Sequence, residues 1–283
     1  MNAPTQAATA FSGRWRALGV IAVAQLLTAL DATIVNIALP TAQRDLGFGD
    51  DQRQWVITAY TLTFAGLLLI GGRIADRLGR RTALLGGLAG FAAASGLAGI
   101  APTFEVLVAG RALQGACAAV LAPTALSSIA VMFTDQRERG RAFAVYGAVA
   151  SSGAIVGLVV GGALTELVSW RWCLLENVVF ALGALVAGSR LLPRSDRHSA
   201  TPLPVASAAI ATAGLASLVY AASQAAAHGW TDARVWAPAV AGLALLMVFA
   251  LRQARSTAPM LPLSLLADRR RGVAYVAIAS GVI

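Results

Sequence analysis

"LDATIVNIALP", Leu30 to Pro40, sets an aspartate inside an apolar run, and the company that run keeps decides the fold. The chain is 58% hydrophobic and 12% charged, against about 45–50% apolar residues in a soluble domain. Such a composition suits hydrocarbon rather than water. Apolar stretches recur at 17–39, 55–72, 82–100, 105–127, 142–164, 172–192, 203–226 and 235–251, each near the ~20 residues a helix needs to cross ~30 Å of bilayer core. The expectation is an all-α polytopic membrane protein with eight spans. Gly272 to Ile283 begins a ninth and supplies too few residues to cross, so the sequence reads as truncated within that span, a fragment of a longer protein.

The net charge of +9 invites a nucleic-acid reading until its placement is traced. All 22 basic residues are arginine. With the N-terminus in the cytoplasm, 17 of the 22 fall on the cytoplasmic side, Arg44, Arg53, Arg171 and Arg234 lie outside, and Arg111 lies within a span. The positive-inside rule fixes that topology and absorbs the basic balance, which leaves nucleic acid without a case. The first apolar run has no small-residue cleavage site and is too long for a removable signal peptide. Cys117 and Cys173 both fall inside spans, where cysteine acts as a small packing residue. His198 and His228 sit in loops on opposite sides, so no metal cluster is expected, and no cofactor.

The chain divides into a six-span bundle at 1–192, a cytoplasmic linker at 193–204, two additional spans at 205–252, a cytoplasmic connection at 253–271 and the incomplete span at 272–283. Between spans two and three stands the most specific local pattern, "GGRIADRLGRRTALL", Gly71 to Leu85. Asp76 lies three residues after Arg73 and four before Arg80, within helical reach of both. Gly72 and Gly79 permit tight backbone geometry. Read alone, this is a positively charged turn.

The same pattern, with Gly72, Asp76, Arg77, Gly79, Arg80 and Arg81, resembles the signature loop of the major facilitator superfamily. "LDATIVNIALP" in span one and "WRWCLLENV", Trp170 to Val178, resemble its drug:proton antiporters of the 14-span type. "RALQGACAA", Arg111 to Ala119, is similar to that family's R-x-x-Q-G element, and "GAIVGLVVGG", Gly153 to Gly162, to its glycine-rich element in span five. The resemblance continues through "APMLPLSLLADRRRGVAYVA", Ala258 to Ala277. It implies a major facilitator-type helical bundle whose loop latches the cytoplasmic side during alternating access. Two positions depart from the pattern: Leu158 stands where the family has proline, and Glu176 where it has an apolar residue.

Depth arithmetic then takes up the opening aspartate. At 1.5 Å per residue, Asp31 lies roughly 9 Å below the outer face, Arg111 roughly 9 Å and Glu176 about 6 Å. An intramembrane charge costs at least ~2.5 kcal/mol, so such groups face one another or a wet cavity. One reading makes Asp31 the proton carrier biased by Arg111, with Gln114 one turn on as a polar contact and Glu176 as an extra proton or substrate site. The other makes Asp31 and Arg111 a buried pair that orders the bundle, with Glu176 solvated at the interface. Asn36 reads as a helix-to-helix hydrogen bond ahead of a substrate-pathway ligand. Gly153, Gly157 and Gly161, at four-residue spacing, make a small face for close helix approach.

The resemblance implies a secondary active transporter in the bacterial cytoplasmic membrane, N-terminus inside, exporting an amphipathic or cationic small molecule as protons enter. Its partners are then substrate, protons, lipid and the missing C-terminal spans of the same chain. A transport-inactive truncated protein or interaction partner is the alternative, and a membrane-embedded enzyme a weaker one. The arginine asymmetry generates a direct test: single cysteines at Arg80 and Asp50 should label from opposite faces of the membrane, Arg80→Cys from the cytoplasm. Labelling of both from one side overturns the topology.

Overall fold

The computed structural model describes residues 13–193, 205–230 and 232–255. They form eight helices: α1 Arg14–Leu46, α2 Asp50–Leu78, α3 Arg80–Gly99, α4 Phe104–Met132, α5 Gln136–Leu167, α6 Trp172–Leu191, α7 Val205–His228 and α8 Ala233–Ala254. Every expected complete span coincides with one helix. Seven are long and apolar enough to cross a membrane, and α7 carries a shorter apolar segment, Ala209–Ala225. Helices are the natural outcome here, because hydrocarbon offers no partner to a free N–H or C=O and a helix satisfies both internally. The start of a ninth span lies outside the described residues.

The helix ends follow from short polar signals. Asp135 caps α5 by accepting a hydrogen bond from the Glu138 N–H at 2.9 Å. Gly47 ends α1 in the left-handed conformation, φ 70°. The charged "loop" between spans two and three shrinks to one residue: α2 runs through Leu78, α3 starts at Arg80, and Gly79 turns the chain with φ 85°. Only glycine adopts that φ readily. With Leu158 in place of proline, α5 continues unbroken for 32 residues.

The chain separates into two compact units, Met1–Thr201 and Pro202–Ile283. In the second unit α7 and α8 pack on each other. In the first, α2 packs on α4, α1 on α5, α3 on α4 and on α6, and α1 on α6 and on α4. Exchanging α1 with α4, α2 with α5 and α3 with α6 maps this set onto itself: α2–α4 becomes α5–α1, α3–α4 becomes α6–α1, and α1–α4 and α3–α6 are unchanged. The bundle is therefore a pair of three-helix repeats. Three is odd, so the second repeat enters the membrane from the opposite side, which is the inverted arrangement of many transporters.

Both ends of the bundle are tied. On the side of the N-terminus, Arg14 pairs with Glu138 at 2.8 Å and Arg81 donates to the Ser189 carbonyl at 2.5 Å, joining α1 to α5 and α3 to α6. At the other end Asp45 Oδ2 accepts from Trp170 Nε1 and from Arg171, each at 3.0 Å, while Arg171 also donates to the Ala101 carbonyl at 2.8 Å. These ties require α1 to α6 to alternate in direction, as consecutive membrane spans must.

Glycine makes the closest contacts. A Cβ on Gly71 would lie 2.0 Å from the Ala119 carbonyl oxygen, and one on Gly115 would lie 2.3 Å from the Tyr60 carbonyl oxygen, so α2 and α4 nearly touch backbone to backbone. Across α1, Gly153 meets Ala29, Gly157 meets Thr33 and Gly161 meets Ile34. Small residues permit such approach where packing rather than water drives association. Gly71→Ala should accordingly cost about 1–3 kcal/mol through overpacking against an immovable backbone, read as a lower unfolding temperature of the purified full-length protein. Gly86→Ala, with nothing within 4 Å of the added carbon, should leave that temperature nearly unchanged.

Candidate functional site

The α5 glycine stripe presses α1 inward over Ala29 to Ile34, and the opposite side of the same turn of α1 carries Asp31. There the carboxylate meets α4 and α6, and Gln114 links it onward to α3. Arg111 NH1 donates to Asp31 Oδ2 at 2.5 Å, and the two side chains are 2% and 0% exposed. Gln114 Nε2 and Asn177 Nδ2 each donate to Asp31 Oδ1 at 3.1 Å. Gln114 is used at both ends, accepting from Arg111 NH1 at 2.9 Å and donating to Ser95 Oγ at 2.8 Å.

Arg111 has two further supports from α2. Its Nε donates to the Val56 carbonyl at 3.3 Å, and its guanidinium carbon stands 4.5 Å from the centroid of the Tyr60 ring. A cation over an aromatic face is attracted by the ring quadrupole, most strongly when both are out of water. Gly115 makes that contact possible, because its missing side chain admits the backbone of Tyr60. The network thus joins five helices around one carboxylate whose partners are all donors. That is the environment of an ionised carboxylate.

The depth arithmetic brought Asp31 and Arg111 to one level, and the structure puts them in contact. Glu176 is near enough for its charge to interact with that of Asp31, but it is half-buried, and its Oε1 is buried without a protein hydrogen-bond partner. Asn36 differs from expectation: it is exposed, and its Nδ2 donates to the Ala32 carbonyl of its own helix at 3.0 Å. One turn of helix supplied the acceptor, so no second helix was needed. Asp76 is exposed on the last turn of α2 and takes no part in the ion pairs found among the described residues.

Three members of the network escaped the charge-based search: Ser95, Asn177 and Tyr60. A signal was present. Counting from the ends of their apolar stretches, each lies five residues in, about 7.5 Å deep, beside the charged groups. Extending the depth comparison to uncharged polar side chains would have collected the whole site.

A helical bundle of two three-helix repeats, holding a charge network where the repeats meet, is an architecture found in many membrane transporters. The model of the Major Facilitator Superfamily matches residues 21–283, and the chain belongs to that family. Among its relatives it is 51% identical over 266 residues to the puromycin resistance protein pur8 of Streptomyces alboniger, covering 94% of this chain and 52% of that protein. It is 42% identical to the cephamycin export protein CmcT of Amycolatopsis lactamdurans (87% and 51% covered) and 39% identical to the multidrug efflux pump LfrA of Mycolicibacterium smegmatis (89% and 50%). The chain spans about half the length of the curated relatives it matches. A crystal structure of a peptide transporter, POT, shares the fold with a TM-score of 0.63 at 18% identity, over 87% of this chain and 53% of that one.

The geometry predicts unequal effects of removing either partner. Arg111→Ala leaves Asp31 buried with only two amide donors and should destabilise the full-length protein by about 3–5 kcal/mol. Asp31→Asn keeps the side-chain volume and leaves Arg111 with Gln114, the Val56 carbonyl and the Tyr60 ring, so its loss should be smaller. Thermal unfolding of the two purified variants checks the order, and equal losses would show that the acceptors left around Arg111 carry no weight.

Proposed function

We propose that this chain is part of a proton-coupled exporter of amphipathic or cationic drugs, working by alternating access. The observation that carries the reading is the sealed Asp31–Arg111 pair where α1 meets α4, an ionisable carboxylate held inside the membrane. Intramembrane carboxylates mark proton and substrate paths in pumps and transporters. The relatives' names add resistance and export of chemically unlike compounds.

In this mechanism Asp31 takes a proton from the outer side, releases it inside and changes charge once per cycle. Protonation removes the negative half of the pair and weakens the cross-link from α1 to Arg111 of α4, while Arg111 keeps Gln114, the Val56 carbonyl and the Tyr60 ring. Substrate binding in the complete transporter favours the ionised form. Glu176, on the same helix as Asn177 and within electrostatic reach of Asp31, supplies a second protonation or substrate site. Asp76, Arg77, Arg80 and Arg81 flank the one-residue turn at Gly79 as the cytoplasmic latch. The protein sits in a bacterial cytoplasmic membrane with its N-terminus inside, a placement supported by the arginine distribution.

One observation favours a second reading, in which the pair is purely structural: every partner of Asp31 is a donor, so the ionised state is well held without any transport role. The test is drug-induced proton release from purified full-length wild type and Asp31→Asn in weak buffer. Release should vanish in the variant while substrate binding persists. Equal release from both, with normal binding, overturns Asp31 as the carrier and transfers the role to Glu176.

A further inference from the structure

One acceptor in the network is uncommitted. Asn177 is 0% exposed, and while its Nδ2 donates to Asp31, its Oδ1 has no protein hydrogen-bond partner. Native interiors rarely leave a buried polar atom in that condition, and each case calls for an explanation. Of the other acceptors in the network, Gln114 Oε1 and the Val56 carbonyl accept from Arg111, and Ser95 Oγ accepts from Gln114. Glu176 Oε1, next along α6, also lacks a protein partner, but Asn177 is the α6 side chain already bonded to Asp31.

Two protonation states make opposite demands on this shell. An ionised carboxylate only accepts, whereas a protonated one carries an O–H that must find an acceptor. The amide oxygen and nitrogen of asparagine have nearly the same shape, so a half-turn about the last side-chain torsion exchanges them without new space. We propose that Asn177 is a two-way amide switch: it donates Nδ2–H to ionised Asp31, and rotates to accept the Asp31 O–H on Oδ1 when the proton arrives. The inference rests on the proton-coupling reading above, and deepens it by naming a positioning residue on α6.

The step balances simply. A hydronium ion hands its proton to Asp31 Oδ1: the hydronium O–H breaks, the carboxyl O–H forms, and a neutral water is left. The carboxyl loses its charge, the amide exchanges a donated hydrogen bond for an accepted one, and no other covalent bond changes. The titratable and charged groups facing Asp31 are Arg111 from α4, Glu176 from α6 and Tyr60 from α2. From α3 comes the uncharged Ser95, and behind α1 stands the α5 glycine stripe. Arg111 stays with Gln114 and the Tyr60 ring in either state, so the adjustment falls on the amide with an idle oxygen.

Infrared difference spectra of the full-length transporter, taken between acid and alkaline buffer, test the switch. Wild type should show a protonated-carboxyl band that Asp31→Asn abolishes, together with a side-chain carbonyl signal that moves when asparagine carries carbon-13. In Asn177→Ala the Asp31 band should persist but shift to higher frequency, because its O–H has lost the acceptor. Asn177→Ser, whose hydroxyl both donates and accepts, should reverse part of that shift. A wild type with no Asp31-dependent band overturns the proton-coupling reading and the switch with it. A band of unchanged frequency in Asn177→Ala overturns the switch alone. If neither variant folds, the labelled wild type decides, and absence of an asparagine carbonyl signal refutes the proposal.

Discussion

Arg111 and Asp31, 2.5 Å apart among apolar helices, impose the main constraint on the first unit. Each charge alone would cost at least ~2.5 kcal/mol at that depth, and together they still require their remaining donors and acceptors to be met. Meeting them demands that α1, α4, α3, α6 and α2 all come within hydrogen-bond or ring-stacking distance of one point. Ordinary side chains would hold helices too far apart. The glycines resolve this: Gly115 admits the backbone of α2 beside Arg111, and Gly157 admits Thr33 two residues beyond Asp31. Charge burial and small-residue packing are therefore one design problem.

The repeat symmetry gives the pair its position. Among the helix contacts, α1–α4 and α3–α6 map onto themselves when the two repeats are exchanged. Asp31 and Arg111 join the first of these pairs, while Ser95 and Asn177 reach the same carboxylate network from the helices of the second. The network around Asp31 therefore touches both self-equivalent contacts at once. The ties at the two ends, Arg14 to Glu138 and Asp45 to Trp170 and Arg171, lie away from it and link helices that are already neighbours. On the proposed reading, tied ends around a buried charge pair suit a bundle that rocks as a body.

Hydropathy located every complete helix because crossing a membrane demands length and apolarity that leave little ambiguity. The glycine face on α5 and the meeting of Asp31 with Arg111 were equally legible, the first from four-residue spacing and the second from depth. The repeat was not legible, since it resides in which helices touch and no residue pattern has to record that. Asn36 shows a different limit. An amide in an apolar span needs a partner, yet its own helix offers a carbonyl four residues back, and sequence does not say which bond forms. Ser95 and Asn177 were overlooked because uncharged polar groups are cheaper to bury and raise a weaker alarm.

The network's satisfaction is uneven, and the unevenness has direction. On α4, Arg111 commits Nη1 to Asp31 and Gln114 and Nε to Val56, and Gln114 uses both ends. On α6, Asn177 keeps an idle oxygen, and its neighbour Glu176 keeps another. A fully bonded group resists rearrangement because any new bond costs an old one, whereas a half-bonded group can gain. On the proposed reading, protonation of Asp31 would meet a stiffer wall on the arginine side and a compliant one on the asparagine side. Since α6 also packs on α3, its repeat equivalent, a change at that compliant wall would, on the same reading, act where one repeat meets the other.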